Sequence, residues 1–294
     1  MEFLIFLAQC RTPFLTQIFR VFTFLGEEVF AISIICFLYW CYNKKLARMI
    51  GLVFFTSGLI VQSLKLTFCI PRPWILYPTF KPVLSSIDTA TGYSFPSGHT
   101  QSSSSLFGAL GIHSKKAGPR MISVILIIGV GFSRMYLGYH TPWDVLASMS
   151  ISLFIVYLFN KVIPLKTYKV STVAISLAAF TTMTLIYVIL FSKNPNTDLS
   201  QFHDCFKAIG AGMGFALGWY IEPLYINFDE KNGNFQMQIV KLLLGLLVAV
   251  IIKSGLKLIL GTSLTADTLR YFILVCWIMI LYPIIIVKMI YRKN

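Results

Sequence analysis

Two long apolar stretches, Val170 to Phe191 and Phe272 to Ile290, limit what this chain can become. A helix needs about 20 apolar residues to cross a bilayer. Inside hydrocarbon the backbone must satisfy its own hydrogen bonds, so stretches of this kind form helices. The composition agrees: 56% of the 294 residues are hydrophobic and only 12% are charged, about half the charge of a soluble domain. The 15% aromatic content suits belts of Trp and Tyr at the two interfaces. The chain therefore reads as all-α, a polytopic transmembrane helical bundle.

Eight spans are expected: Glu28–Tyr42, Met49–Phe68, Ser97–Ile112, Met121–Tyr136, Pro142–Val162, Val170–Phe191, Ala208–Ile226 with a break near Pro223, and Gln238–Leu260. Thr268–Ile290 makes a ninth. The start, "MEFLIFLAQC", lacks the basic region of a signal peptide. Glu2 to Gly26 is amphipathic and reads as part of the mature fold, either an interfacial segment or a short re-entrant helix.

The net charge of +14 does not point to nucleic acid. Lys and Arg stand in short clusters between apolar spans, the pattern of cytoplasmic loops. One set of alternate loops holds Lys44, Lys45 and Arg48, then Lys115, Lys116 and Arg120, then Lys161, Lys166 and Lys169. The same side takes Lys231, Lys241, Lys288, Arg292 and Lys293, for 14 of the 25 basic residues. Those loops are expected to face the cytoplasm. A basic protein at a membrane meets anionic headgroups, so membrane lipids are expected partners. The six cysteines show neither a CxxC pair nor zinc spacing. They read as small apolar residues.

Three polar islands fall on the opposite side. "KLTFCIPRPW" carries Lys65 and Arg72 at the end of a span that Pro71 and Pro73 terminate. "FPSGHT" carries Ser97, Gly98 and His99. "SRMYLGYHTPWD" carries Ser133, Arg134, His140 and Asp144. Each alone has a plain structural explanation. Together they put three cations, two histidines and a carboxylate on one face of a chain otherwise sparing of charge, and ionisable groups beside hydrocarbon are costly.

That set suits phosphate. Lys65, Arg72 and Arg134 supply fixed positive charge, and the arginine fork matches phosphate oxygens. Ser97 and Gly98 open a helix whose free N–H groups form an anion site, and glycine permits close approach. His140 precedes a helix starting at Thr141 and Pro142, whose positive end favours a neutral, nucleophilic imidazole. Asp144 can accept the Nδ1 proton and fix the tautomer. His99 is then the general acid for the leaving oxygen. No metal is required, because the cations clamp the transferring group.

K-x6-R-P at Lys65–Pro73, P-S-G-H at Pro96–His99 and S-R-x5-H-x3-D at Ser133–Asp144 resemble, complete and in order, the three signature motifs of the type 2 phosphatidic acid phosphatase superfamily. That superfamily also includes the vanadium haloperoxidases. The resemblance covers about Glu28 to Val162. It implies a helical-bundle catalytic core and a metal-independent, cofactor-free phosphatase working through a phosphohistidine. It implies His140 as nucleophile, Asp144 as its partner and His99 as acid. Lys65, Arg72, Ser97, Gly98 and Arg134 would bind phosphate. The early first motif and the helices after the third make the layout similar to the sphingosine-1-phosphate phosphatase and glucose-6-phosphatase branches. The expected division is a segment at 1–27, a catalytic membrane core at 28–162 and additional transmembrane helices at 163–294.

The expected activity is hydrolysis of a lipid phosphate or diphosphate at the extracytoplasmic face of a cell membrane. Candidate substrates are phosphatidic acid, phosphatidylglycerol phosphate, a sphingoid-base phosphate or polyprenyl diphosphate. A lipid phosphotransferase, a sugar-phosphate phosphatase and a transporter reusing the fold stand as alternatives. Gly210, Gly214 and Gly218, four apart, read as a close helix-packing face. Ser102 to Ser105 read the same way. His113, and the pair His203 and Asp204, read as solvated surface groups. Trp74 and Tyr77 read as interfacial anchors.

Overall fold

A computed structural model of the chain describes residues 1–84, 90–162, 169–194 and 198–291. Lys166, Arg292 and Lys293, counted above among the cytoplasmic charges, lie outside the described residues. Every regular element among the described residues is helical. The chain forms two compact units, Met1–Ala31 with Ile60–Val162, and Ile32–Leu59 with Ile163–Asn294. Six described stretches are long and apolar enough to span a membrane, and a bent pair, Pro13–Leu25 with Glu28–Tyr42, adds a seventh if it is one broken span. It is a multi-pass membrane protein.

The first unit contains α1 (Glu2–Gln9), α2 (Pro13–Leu25), α5 (Pro73–Leu76), α6 (Gly98–His113), α7 (Ala117–Tyr136) and α8 (Pro142–Val162). It also takes the ends of α3 (Glu28–Phe37) and α4 (Lys44–Phe68) that fall within its boundaries. Thr12 caps α2 by accepting from the Leu15 amide, with Pro13 in the first turn. The helix packs on α7: Phe19 lies 4.3 Å from the Tyr136 ring and 5.3 Å from the Phe132 ring. The first 27 residues lie within the unit that carries α6 to α8. The apolar stripe read as facing an interface partly faces α7 instead.

α6 forms within a residue of its expected bounds and is short for a span. Its 16 residues reach about 24 Å, short of the roughly 30 Å hydrocarbon core. It can be short and polar because its neighbours enclose it. Ser102, Ser103, Ser104 and Ser105 are all buried. A methyl at Gly108 would sit 2.9 Å from Leu153 of α8, and one at Gly111 would sit 3.0 Å from Ser123 of α7. Small residues bring this helix close to both partners.

The second unit contains α9 (Val170–Ser192), α10 (His203–Ile221), α11 (Phe235–Leu260), α12 (Leu264–Cys276) and α13 (Tyr282–Tyr291), with the remaining parts of α3 and α4. The glycine face of α10 packs on α12: a methyl at Gly214 would lie 2.8 Å from the Phe272 carbonyl. The break expected near Pro223 is a π-helical turn at Glu222–Ile226, because proline cannot donate to the α-helical ladder. Lys241, counted as a loop charge, lies buried inside α11 and donates to the carbonyls of Glu230 (2.9 Å) and Asn232 (3.2 Å). Cys36 and Cys205 are buried thiols. His113 is exposed. His203 does not pair with Asp204: its Nδ1 lies 2.7 Å from Asp267, while Asp204 accepts from Lys207 at 2.8 Å.

Candidate active site

All eight residues singled out for chemistry lie in the first unit. Helix ends and one loop position them. Arg134 sits in the last turn of α7, and Gly138, at φ +86°, lets the chain reverse where a side chain would be strained. The Arg134 carbonyl accepts from the amides of Tyr139 (2.9 Å) and His140 (3.3 Å). The residue that supplies a guanidinium therefore also fixes the backbone that presents the imidazole. Thr141 then leads into α8, whose first turn holds Asp144.

The start of α6 is tied to the same place. Ser97 is its cap and accepts from the Thr100 amide. The Ser97 amide donates to the Asp144 carbonyl at 3.1 Å, and Ser148 of α8 donates to the Ser97 carbonyl at 2.7 Å. The second and third islands are thus bonded to each other through backbone groups. The first joins through the loop before Pro96. Lys65 donates to the Tyr93 carbonyl at 2.9 Å. Arg72 donates to the carbonyls of Thr91 (2.6 Å), Gly92 (3.1 Å) and Tyr139 (3.2 Å). Its guanidinium lies 5.9 Å from the Trp74 ring, which packs edge-on to Tyr139. Trp74, read as an interfacial anchor, packs beside the site.

His140 is buried and reached from two sides. Nη1 of Arg72 lies 2.8 Å from its Nε2. A guanidinium only donates, so Nε2 presents its lone pair and the proton of a neutral ring resides on Nδ1. Nδ1 lies 3.4 Å from Oδ2 of Asp144. That is long for a hydrogen bond, and Nδ1 has no hydrogen-bond partner among the described residues. The carboxylate faces the ring nitrogen at that distance, and hydrogen bonds of this kind tighten with substrate in place. The same Oδ2 accepts from the Thr141 amide at 2.8 Å and the Ser94 hydroxyl at 2.7 Å. Burial, then the charges of Arg72, Arg134 and Lys65, hold His140 well below the ordinary imidazole range. A ring with that proton affinity is neutral near pH 7.

His99 stands in the first turn of α6, and its enclosed Nε2 has no hydrogen-bond partner among the described residues. The charges of Arg134, Arg72 and Lys65, and the His140 ring, all act on it. A methyl at Gly98 would meet nothing within 4 Å. The protein's own packing therefore does not demand glycine there; any demand comes from what approaches the helix end. Arg134 donates Nη1 to the Thr23 hydroxyl at 2.6 Å and lies 4.6 Å from the Tyr139 ring.

Sequence reasoning missed Ser94 and Thr23. Ser94 lies outside the P-S-G-H motif, and only the fold brings it to Asp144, 50 residues away. Thr23 is 111 residues from Arg134 in a stretch read as a separate segment. A run of apolar residues with threonine gives no local sign of such a contact.

Fold and site together define a helical multi-pass membrane protein with a buried histidine–carboxylate pair, two arginines and a lysine at one end of a helical unit. The family model described as the PAP2 superfamily matches residues 46–168, which include all eight site residues. A second, described as the PAP2 superfamily phosphatase transmembrane extension, matches residues 206–294. The chain belongs to the PAP2 superfamily. It is 33% identical over 104 residues to the undecaprenyl-diphosphatase BcrC of Bacillus subtilis (strain 168), covering 35% of this chain and 51% of that protein. It is 30% identical over 158 residues to a probable sphingosine-1-phosphate phosphatase of Dictyostelium discoideum, covering 49% of this chain and 37% of that one. The chain thus spans about half or less of the length of these curated relatives. The crystal structure of Aquifex aeolicus LpxE matches with a TM-score of 0.48 and 26% identity, over 54% of this chain and 93% of that one.

Proposed function

We propose that this protein is a metal-independent phosphatase that hydrolyses a lipid phosphate or diphosphate through a phosphohistidine on His140. The observation that carries the reading is the setting of that ring. Arg72 addresses its Nε2 lone pair while Nδ1 faces Asp144. This is the tautomer and charge state an attacking imidazole needs. The relatives' names, an undecaprenyl-diphosphatase and a probable sphingosine-1-phosphate phosphatase, support a phosphate carried on a lipid. Phosphatidic acid, phosphatidylglycerol phosphate, a sphingoid-base phosphate and polyprenyl diphosphate form the substrate class.

In the first step Nε2 of His140 attacks phosphorus. The bond from phosphorus to the lipid oxygen breaks, its electron pair leaves with that oxygen, and His99 supplies the proton. Lys65, Arg72, Arg134, the Ser97 hydroxyl and the Gly98 amide stabilise the charge on the transferring oxygens. Asp144 holds the Nδ1 proton and steadies the ring as it becomes cationic. In the second step water attacks phosphorus, the phosphorus–nitrogen bond breaks and its pair returns to Nε2. The proton of that water returns to His99, and inorganic phosphate leaves.

The site end of α6, α7 and α8 faces the extracytoplasmic side in this reading. The opposite ends of the same helices carry Lys115, Lys116, Arg120 and Lys161, the charges that stay cytoplasmic. The test is phosphate release from a panel of lipid phosphates and soluble sugar phosphates, with and without EDTA. Release from a lipid phosphate that persists in EDTA, without an acceptor lipid, is expected. Preference for hexose phosphate over every lipid, or loss of activity in EDTA, contradicts the reading.

A further inference from the structure

The three motifs leave one side of the site to an element outside them, the last turn of α2. Thr23, only 6% exposed, accepts a 2.6 Å hydrogen bond from Nη1 of Arg134, itself 1% exposed. Three residues later Gly26 lies against the second island. A methyl on Gly26 would come within 3.0 Å of the His99 carbonyl, 3.1 Å of the His99 Cβ and 2.7 Å of Val130. One helical turn therefore touches the phosphate-binding arginine through a side chain and the general acid through its backbone. α2 is held in place independently of both contacts. Arg11, just before it, donates to the Tyr136 carbonyl at 3.0 Å and the Lys81 carbonyl at 2.7 Å, and Phe19 packs on Tyr136. The chain bends by 52° between α2 and α3 where this turn ends.

We infer that Thr23 is a positioning residue for the phosphoryl-transfer reaction, acting through Arg134, and that the α2 turn ending at Gly26 is part of the catalytic unit. This rests on the phosphatase reading above. A guanidinium on a flexible stem contributes fully only if its fork is already aimed where charge develops. Nε of Arg134 has no acceptor among the described residues, so Thr23 is the hydrogen-bond acceptor that fixes the orientation of the fork. A hydroxyl suits this role because it orients the cation without cancelling its charge, as a carboxylate would. Gly26 is small because any side chain would push on the His99 backbone.

The test compares Thr23→Val, which keeps the shape and removes the acceptor, with Thr23→Ser, which keeps the acceptor. Three quantities are read on the full-length protein in detergent: kcat and KM for phosphate release, orthovanadate affinity, and the unfolding midpoint. T23V is expected to lose about tenfold or more in kcat/KM, the effect of removing one hydrogen bond to a charged group. Vanadate affinity should fall with it, and T23S should recover most of both at an unchanged midpoint. T23V within twofold of wild type, or T23S as impaired as T23V, overturns the inference. If T23V cannot be purified, Thr23→Ala replaces it under the same criteria. If the wild-type protein releases phosphate from no lipid, the phosphatase reading fails, and vanadate binding alone then decides the role of Thr23.

Discussion

Cations in the two units differ in their partners. In the first unit Lys65, Arg72 and Arg134 donate to neutral groups, among them four main-chain carbonyls, the His140 ring and the Thr23 hydroxyl. In the second unit Lys44, Arg48 and Arg270 rest on carboxylates, while buried Lys241 keeps the carbonyls of Glu230 and Asn232. Lys44 lies 3.0 Å and Arg48 3.9 Å from Glu222, which is fully buried, and Arg270 pairs with Asp267. Neutral acceptors aim a cation without quenching it, whereas a carboxylate quenches it. The first arrangement suits an arriving phosphate and the second suits a fixed structure. Composition does not separate them, since both are built from Lys and Arg.

That contrast can be broken by substitution. The largest effect is expected at His140, where alanine removes the proposed nucleophile. Phosphate release per folded molecule should fall about a thousandfold or more. Retention of activity would make the first unit no more catalytic than the second. At Glu222 the effect should be on stability instead. Glu222→Gln leaves the partly exposed Lys44 and Arg48 beside a neutral group and removes a buried acceptor, at a cost of about 2 kcal/mol. Reversible unfolding should register that loss while kcat of the folded fraction stays at the wild-type value; a fall in kcat without a stability change would reverse the assignment of the two regions.

A smaller effect concerns pH. Lys65 is one of the cations that keep His140 below the ordinary imidazole range. His140 must be neutral to attack, so its depressed proton affinity extends activity toward acid. Lys65→Met raises that affinity, and the acidic limb of kcat/KM should move to higher pH along with a fall in rate. An unmoved limb would place the titration on another group. The smallest effect is expected at Gly98. Its methyl meets open space, so Gly98→Ala should melt with the wild type and raise KM a few-fold. A large drop in the melting temperature would show that the glycine serves the fold, not the approaching phosphate.

The motif residues were legible because their chemistry is local. Pro96 and Ser97 start a helix, Thr141 and Pro142 start another, and Arg134 and His140 flank a reversal that Gly138 permits. Each signal is written within a dozen residues. The glycine face of α10 was equally plain, since its four-residue spacing puts Gly210, Gly214 and Gly218 on one side. Ser94, Thr23 and Gly26 were not, because their roles exist only once α2 has packed on α7 and the loop before Pro96 has folded over Asp144. Glu222 was overlooked for the same reason: its partners Lys44 and Arg48 looked like ordinary loop charges. The shortness of α6 was legible too, in an expected span of 16 residues, and its serines read as the close-packing residues they are.

The central claim is that His140 carries the phosphoryl group. Its most direct test is a rapid acid-free quench of the protein with a lipid substrate radiolabelled at the transferred phosphate. Label should appear on the protein before free phosphate reaches its steady rate. It should survive alkali, be lost in acid, and be absent from His140→Ala. Turnover with no label at any time, or label that persists in His140→Ala, would contradict the account.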